Sequence, residues 1–142
     1  MNWEAEVRRL ANVEAIRDLA RRYAHCVWQR DVEGAVGLFA EDCAMDTGDR
    51  PVIRGRAALL EAYQAMLAAS ELHPMVHNHV IDLQEDRASG TCYLELRARI
   101  DGKAMAGLGH YEDRYVRVGS AWKFESRVLA MSSLAETDSS GN

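Results

Sequence analysis

The stretch from Arg87 to Val118, RASGTCYLELRARI-DG-KAMAGLGHYEDRYVRV, contains two long runs joined by Asp101-Gly102. Both runs alternate apolar and polar residues over much of their length, which is the period of a β-strand with one buried face. Asp-Gly between two such runs supplies the two central residues of a type I′ turn. The stretch therefore predicts a long antiparallel β-hairpin.

A two-residue turn also fixes which residues lie opposite one another. The predicted pairs are Ile100 with Lys103, Leu96 with Gly107, Leu94 with Gly109 and Cys92 with Tyr111. One face then carries Cys92, Leu94, Leu96, Ala98, Ile100, Met105 and Tyr111, and it is expected to face the helices. Because glycines lie opposite the leucines, this face has room to line a cavity. The other face carries Tyr93, Glu95, Arg97, Arg99, Leu108, His110 and Glu112.

Helices are predicted before the hairpin. Apolar residues recur at helical spacing along the N-terminal segment, at Val7, Leu10, Ile16, Leu19, Ala20, Tyr23 and Val27. Asp31 is a predicted N-cap for a short second helix through VEGAVGLFA. CAMDT is then a predicted strand, TGDRPVIRG a loop, and RAALLEAYQAMLAAS (residues 56–70) a third helix.

Strands dominate from His73 onward, and Gly119 marks a further turn before SAWKFESRVLAM. Three helices followed by four long strands predict an α+β fold, with helices on one face of a curved antiparallel sheet. A single domain is expected over residues 1–135, followed by a disordered polar tail over residues 136–142.

Composition narrows the classes of function. The chain has 142 residues, of which 48% are hydrophobic and 27% charged, and its net charge is −5, so a nucleic-acid partner is not expected. Its three cysteines have no CxxC spacing, which argues against a disulfide framework and suits a reducing compartment. No apolar run has membrane-spanning length, so a soluble cytoplasmic protein with no membrane partner is predicted.

Three of the five histidines lie in ELHPMVHNHV, residues 71–80. On a regular strand His73, Met75, His77 and His79 would point to one side. His77 and His79 could share a metal ion, but a third ligand at suitable spacing is missing from the sequence, so no metal site is predicted. The alternative, which we favour, is the polar mouth of an apolar pocket.

The chain resembles the SnoaL-like members of the NTF2-like superfamily. The segments that carry the resemblance are AIRDLARRYAHCVWQRDVEGAVGLFAEDC, VIRGRAAL, HPMVHNHVIDLQEDRASGTCYLEL and GHYEDRYVRVGSAWKF, in the family's order and spacing. The resemblance implies a cone, in which a curved, mostly antiparallel sheet and N-terminal helices enclose an apolar pocket. It also implies dehydratase-, dehydrochlorinase- or cyclase-type activity without a cofactor, although other members only bind ligands.

The resemblance implies roles for particular residues. His73 falls at the position of the catalytic histidine and Tyr23 at that of the first-helix tyrosine. Trp28 stands where the family has a helical aspartate, and Asp46 is the predicted substitute acid, with a solvated loop carboxylate as the alternative. Substrate contacts are expected from Trp28, Met75, His77, Leu94, Leu96, Met105 and Tyr111.

The resemblance therefore implies two possible functions. The first is a cofactor-independent lyase or isomerase acting on a hydrophobic cyclic or aromatic small molecule, with His73 as the general base. The second is a non-catalytic module that binds such a molecule. The outer face of the hairpin mixes charged residues with Tyr93 and Leu108, which predicts a homodimer through that face, with a trimer as the alternative.

Overall fold

The structure, a computed structural model, describes residues 2–137. The helices are α1 (Trp3–Trp28), α2 (Val32–Val36) and α3 (Arg56–Ala69). The strands are β1 (Phe39–Asp46), β2 (Ile53–Arg54), β3 (Ser70–Gln84), β4 (Arg87–Ile100), β5 (Lys103–Val118) and β6 (Ala121–Glu136). The order of elements confirms the predicted α+β layout of helices followed by long strands.

All six strands form one curved, open sheet with the order β2-β1-β6-β5-β4-β3. Neighbouring strands are antiparallel except β1 and β6, which run parallel. The four long strands from β3 to β6 form a meander, because each follows its neighbour through a tight turn. β3 is an edge strand, and this position matters for the candidate site.

The central hairpin has the predicted register. Ile100 pairs with Lys103, Leu96 with Gly107, Leu94 with Gly109 and Cys92 with Tyr111. Asp101 and Gly102 both have positive φ, at 53° and 76°, as a type I′ turn requires. The face with Cys92, Leu94 and Tyr111 is buried, whereas Tyr93 and Leu108 on the other face are exposed. The turn chemistry alone was therefore enough to assign the two faces.

α1 is capped by Asn2, whose side chain accepts a hydrogen bond from the Ala5 amide at 3.1 Å. Its buried face runs from Ile16 to Val27. The predicted apolar stripe is wrong for the first turns, since Val7 and Leu10 are 62% and 53% exposed. Periodicity indicates which residues share one face of a helix. It does not indicate which part of that face other elements of the protein cover.

The segment between α1 and α3 differs from its prediction in extent. Asp31 caps α2 as expected, with Oδ1 accepting from the Gly34 amide at 2.9 Å. However, α2 ends at Val36, and the chain enters β1 at Phe39. The predicted loop 47–55 contains the short strand β2, whose Ile53 pairs with Met45. These boundaries depend on pairing with β6 and β1, which local sequence does not encode.

The core lies between the helices and the inner face of the sheet. Its fully buried members include Ile16, Phe39, Leu59, Cys92 and Phe124. The room expected beside Gly107 and Gly109 is filled, because a Cβ at Gly109 would lie 2.7 Å from the Ala130 carbonyl oxygen and 2.7 Å from Met131 Sδ. The glycines therefore admit the close approach of β6 and do not create the cavity.

The C-terminal end is ordered further than composition predicted. Glu136 lies in β6, and the Thr137 amide donates to the Ala104 carbonyl at 2.8 Å. Residues 138–142 of the predicted tail lie outside the described residues. Among residues 2–137, no helix is long and apolar enough to cross a membrane.

Candidate functional site

An apolar cavity lies between α1, α3 and the inner face of the sheet, and it encloses about 60 Å³. Its lining residues are Tyr23, Val27, Met45, Thr47, Tyr63, Met66, Leu67, Leu72, Pro74, Leu94, Leu96, Tyr111 and Leu129. Leu94, Leu96, Tyr111 and Tyr23 thus lie at the cavity, where the sequence placed them. Its polar groups are hydroxyls, so it can orient an apolar ligand through few, defined hydrogen bonds.

Two of these hydroxyls form a pair. Tyr23 Oη, from α1, is hydrogen-bonded to Tyr63 Oη, from α3, and both residues are buried. Burial raises the pKa of Tyr23 well above its ordinary value, and it also raises the pKa of Tyr63. Both hydroxyls therefore stay protonated at neutral pH, so one of them is free to donate to a ligand.

A buried ion pair lies beneath the aromatic wall of the cavity. Arg127 donates from Nε to Asp113 Oδ1 at 2.7 Å and from Nη2 to Asp113 Oδ2 at 3.0 Å. Both side chains have no exposed surface. Burial is the largest single influence and opposes the charge on Arg127, but Asp113 together with the neighbouring Tyr111 and Tyr23 holds the pKa of Arg127 above its ordinary value. A buried pair of opposite charges is therefore held inside the fold.

The guanidinium of Arg127 is stacked under rings that line the cavity. Its Cζ lies 3.6 Å from the ring centroid of Tyr111 and 4.7 Å from that of Tyr23. Its Nη1 has no hydrogen-bond partner among the described residues. The positive charge acts through the faces of these rings, which attract cations by their quadrupole. Because Asp113 neutralises the guanidinium, the pair acts on the cavity as a dipole whose guanidinium end faces the rings of Tyr111 and Tyr23.

The carboxylate of Asp113 is also connected to His79, through the hydroxyl of Tyr115. Tyr115 Oη donates to Asp113 Oδ2 at 2.8 Å, and His79 Nε2 lies 2.7 Å from Tyr115 Oη. Because the tyrosine proton is used toward Asp113, His79 Nε2 must be the donor, which leaves Nδ1 as an acceptor. Burial, assisted by the charge of Arg127, lowers the pKa of His79 to about 4. His79 is therefore neutral at pH 7 in a defined tautomer.

A bulge in β3 separates the histidines. The register between β3 and β4 shifts between Val76 and His79, so that His73 lies opposite Arg97 but His79 lies opposite Cys92. Arg97 is on the outer face and Cys92 on the inner face. The expectation that His73, Met75, His77 and His79 share one side is therefore wrong, because the bulge inserts one extra residue into β3 and so breaks the period of two.

His73, the expected base, contacts Trp28. The two ring centroids are 4.2 Å apart with 33° between the planes, and Trp28 Nε1 donates to the Pro74 carbonyl at 2.6 Å. Neither residue is among those that line the cavity, although Leu72 and Pro74, on either side of His73, are. No carboxylate within the described chain forms a hydrogen bond or ion pair with His73.

The remaining predicted residues lie at the periphery. Asp46 precedes the cavity-lining Thr47, and its Oδ1 accepts from the Gly48 amide at 2.9 Å. His77 lies 3.8 Å from Glu95 with half of its side chain exposed. The predicted substrate contacts Trp28, Met75, His77 and Met105 are not among the cavity-lining residues. Within residues 2–137, no three His, Cys, Asp or Glu side chains come together in a metal-binding arrangement.

Sequence reasoning missed Tyr63, Asp113, Tyr115 and Arg127. A signal was present for two of them, because the period of two that places Tyr111 inside also places Asp113 and Tyr115 inside. An acid at an inward position of a central strand requires a buried partner. That partner, Arg127, lies on β6 and could be identified only from the pairing of Asp113 with it.

Comparison with solved structures places the fold. A Mycobacterium tuberculosis protein of unknown function has a TM-score of 0.80 at 26% identity, covering 87% of this chain and 73% of its own. A candidate scytalone dehydratase from Novosphingobium aromaticivorans has a TM-score of 0.83 at 21% identity, covering 92% and 90%. The hexachlorocyclohexane dehydrochlorinase LinA type 2 has a TM-score of 0.88 at 17% identity, covering 94% of each chain.

A search of curated proteins finds no match to this sequence. The sequence model of the SnoaL-like domain matches residues 8–128, which include most of α1, the cavity-lining residues from α3 and β3, and the Asp113–Arg127 pair. The match covers most of the chain, and the solved structures share its fold. The chain belongs to the SnoaL-like domain family.

Proposed function

We propose that this protein is a cofactor-independent lyase or isomerase that acts on a hydrophobic cyclic or aromatic small molecule. The observation that supports it best is the Tyr23–Tyr63 hydroxyl pair, which lies in an apolar cavity next to the buried charge of Arg127. Protonated hydroxyls in a water-poor cavity are good hydrogen-bond donors to an oxygen that gains negative charge. The leading reaction is elimination of water, and cyclisation or retro-aldol cleavage follows the same chemistry.

In this proposal the hydroxyl pair and Arg127 stabilise the intermediate. Removal of a proton from carbon next to a substrate carbonyl leaves negative charge on the carbonyl oxygen. Tyr23 or Tyr63 donates a hydrogen bond to that oxygen, and the guanidinium end of the Arg127–Asp113 pair lies behind the rings of Tyr111 and Tyr23. The electron pair then forms the carbon–carbon double bond as the C–O bond to the β-hydroxyl breaks, and the leaving hydroxide takes the proton from the His73 imidazolium to give water.

His73 is the proton acceptor in the proposal. It lies between Leu72 and Pro74, which both line the cavity, but its own ring lies against Trp28. Because His73 lies on the outer face of β3, opposite Arg97, proton transfer requires its ring to leave Trp28 and this end of the edge strand to twist until the imidazole reaches the cavity. Positioned general bases contribute about 10²–10⁴-fold to rates. Asp46, adjacent to the cavity-lining Thr47, is the carboxylate that we assign to assist His73 in proton transfer.

A ring-sized ligand also requires the cavity to expand, because about 60 Å³ holds only a few water molecules. Met45 and Met66 line the cavity, and unbranched methionine side chains move at low cost. The proposal therefore includes displacement of these two side chains on binding.

Exchange of substrate carbon-bound hydrogen in D₂O tests the chemistry whichever product is formed. The protein is incubated with a panel of cyclic ketones and β-hydroxyketones, and deuterium incorporation and loss of water are followed by NMR and mass spectrometry. We expect Tyr63→Phe to slow exchange about 10²-fold and His73→Ala by about 10²–10⁴-fold. His25→Ala, at an exposed position of α1, is the matched control and should exchange at the wild-type rate.

A second candidate function is a binding module without catalysis. The cavity-lining residues of the described chain include no histidine and no carboxylate, and Trp28 covers His73. Under this alternative an apolar ligand binds saturably, Tyr63→Phe weakens its binding, and exchange stays at the rate of buffer for the whole panel. Exchange that persists within a few-fold in His73→Ala would refute the role of His73 but not the role of the tyrosines.

A further inference from the structure

A second, polar recess lies beside the apolar cavity, between α1 and the inner side of β3. It encloses about 210 Å³, and its lining residues are Arg17, Ala20, Arg21, Val76, His77, His79 and Cys92. The recess shares no lining residue with the apolar cavity. It is therefore a separate site, lined mostly by charged and polar side chains where the cavity is lined mostly by apolar ones.

The ionisable side chains that line the recess are basic, apart from the thiol of Cys92. Arg17 and Arg21 are one helical turn apart on α1, so their guanidinium groups project from the same face. Arg17 forms no hydrogen bond or ion pair with any residue of the described chain, whereas Arg21 bonds to the exposed Glu14 at 2.9 Å. His77 and His79 stand opposite them on β3. This arrangement suits an anion and repels a cation.

His79 gives the recess a hydrogen-bonding group with a fixed orientation. Its Nε2 is committed to Tyr115, which is bonded to the buried Asp113 and so to Arg127. Nδ1 is therefore the atom of His79 that remains for a ligand. A protonated Nδ1 donates to an oxyanion, and Tyr115 and Asp113 keep the ring in place while it does so.

Apolar groups complete the wall. Ala20, Val76 and Cys92 line the same recess, so a ligand there meets hydrocarbon as well as guanidinium groups. A guanidinium pairs with a carboxylate through two parallel hydrogen bonds, which a compact planar acid can make with Arg17. We propose that this recess binds the carboxylate of a small organic acid, with Arg17 and Arg21 as the charge partners and His79 as a donor.

Binding by this mechanism takes up a proton. The groups that face His79 are Arg17 and Arg21 from α1, His77 from β3, Cys92 from β4, Asp113 and Tyr115 from β5 and Arg127 from β6. The three arginines oppose protonation of His79, and Asp113 favours it. A bound carboxylate adds a second negative charge, so the pKa of His79 rises and the acid binds more tightly as pH falls from about 7 to about 5.

Calorimetric titration with benzoate, together with NMR of the His79 imidazole, tests the proposal. We expect saturable binding at millimolar concentration that shifts the His79 resonances and weakens by at least about tenfold in Arg17→Gln. Arg22→Gln is the matched control, because Arg22 is on the same helix but pairs with Asp18 and does not line the recess. It should bind benzoate as the wild type does.

Each other outcome overturns the proposal. Benzoate binding that survives Arg17→Gln would place the acid elsewhere, including in the apolar cavity. If Arg22→Gln weakens benzoate binding as much as Arg17→Gln does, the loss of affinity is due to the change in the protein's net charge and not to a contact in the recess. Inorganic phosphate that binds as tightly as benzoate would make the recess an unselective anion site. Absence of saturable binding, or of any shift at His79, would leave the recess without a ligand.

Discussion

The ring of Trp28 lies against the ring of His73 at 4.2 Å, while its Nε1 donates to the carbonyl of Pro74 at 2.6 Å. Trp28 ends α1 and His73 is near the start of β3, so the contact joins the helix to the free edge of the sheet. The hydrogen bond occupies a carbonyl that an edge strand would otherwise leave to water or to another chain. The contact therefore has a structural role of its own.

Replacement of Trp28 by Phe should retain the ring contact with His73 and remove the hydrogen bond to Pro74. We expect the free energy of unfolding to fall by about 1 kcal/mol, the usual net contribution of one hydrogen bond. Urea unfolding measures it. Trp3→Phe is the control, because Trp3 is 70% exposed at the start of α1 and should change stability little. Equal effects of the two substitutions would contradict a role for the Trp28 bond.

Arg127→Met should be among the most destabilising substitutions, because it leaves the carboxylate of Asp113 buried without a partner. The expected loss is about 3–5 kcal/mol in denaturant unfolding. The double variant Asp113→Leu/Arg127→Met should recover most of it, since neither charge is then buried. Arg22→Gln, at an exposed pair, should leave the free energy of unfolding close to the wild-type value. A double variant as unstable as Arg127→Met would contradict this account.

Gly109→Ala tests the close approach of β5 and β6. The added Cβ would lie 2.7 Å from the Ala130 carbonyl oxygen, which is backbone and cannot move aside cheaply. We expect a loss of about 1–3 kcal/mol, and Met131→Ala in the same chain should not restore it. Gly102→Ala meets no atom within 4 Å but has a φ of +76°, so it should cost only about 1 kcal/mol. Rescue by Met131→Ala would identify the side chain as the obstacle instead.

The stability of the protein should depend on pH through His79. Its pKa is about 4 when folded, against an ordinary value of 6.5, so the unfolded chain binds more protons between these values. The contribution of the neutral His79 imidazole to the free energy of unfolding is complete above about pH 6.5 and is lost progressively as pH falls toward 4. His79→Gln should therefore flatten the decline of the unfolding free energy across this window, whereas His25→Gln should not. Parallel profiles for wild type and His79→Gln would count against the burial of a neutral His79.

We propose that two copies of the chain pair through the outer face of the sheet. Leu108 and Tyr93 are 57% and 43% exposed there, among charges of both signs that include Glu95 and Arg97. Sedimentation of the wild type should give twice the single-chain mass of 15.9 kDa. Leu108→Glu should lower the measured mass to that of a single chain. Val7→Glu, on the exposed start of α1, is the control. A wild-type mass of 15.9 kDa would refute pairing, and three times that mass would indicate a trimer.

Parts of the candidate site followed from sequence and parts did not. Leu94, Leu96 and Tyr111 were assigned to the inner face from one turn and a period of two, and all three line the cavity. His73 and His79 could not be assigned in the same way. The bulge after Val76 is set by pairing along the whole length of β4, and it reverses which histidine faces inward.

Local sequence was sufficient for the elements whose causes are local. Asp101-Gly102 fixed the turn and the hairpin register, and Asp31 fixed the start of α2, because a side chain or a φ value within a few residues suffices for each. Long-range packing produced the meeting of Arg127 with Asp113, the relay from Asp113 to His79, and the stacking of Trp28 on His73. Each joins residues that are distant in sequence or lie on separate elements, and the low dielectric of the interior makes such polar contacts strong only once the surrounding chain has excluded water.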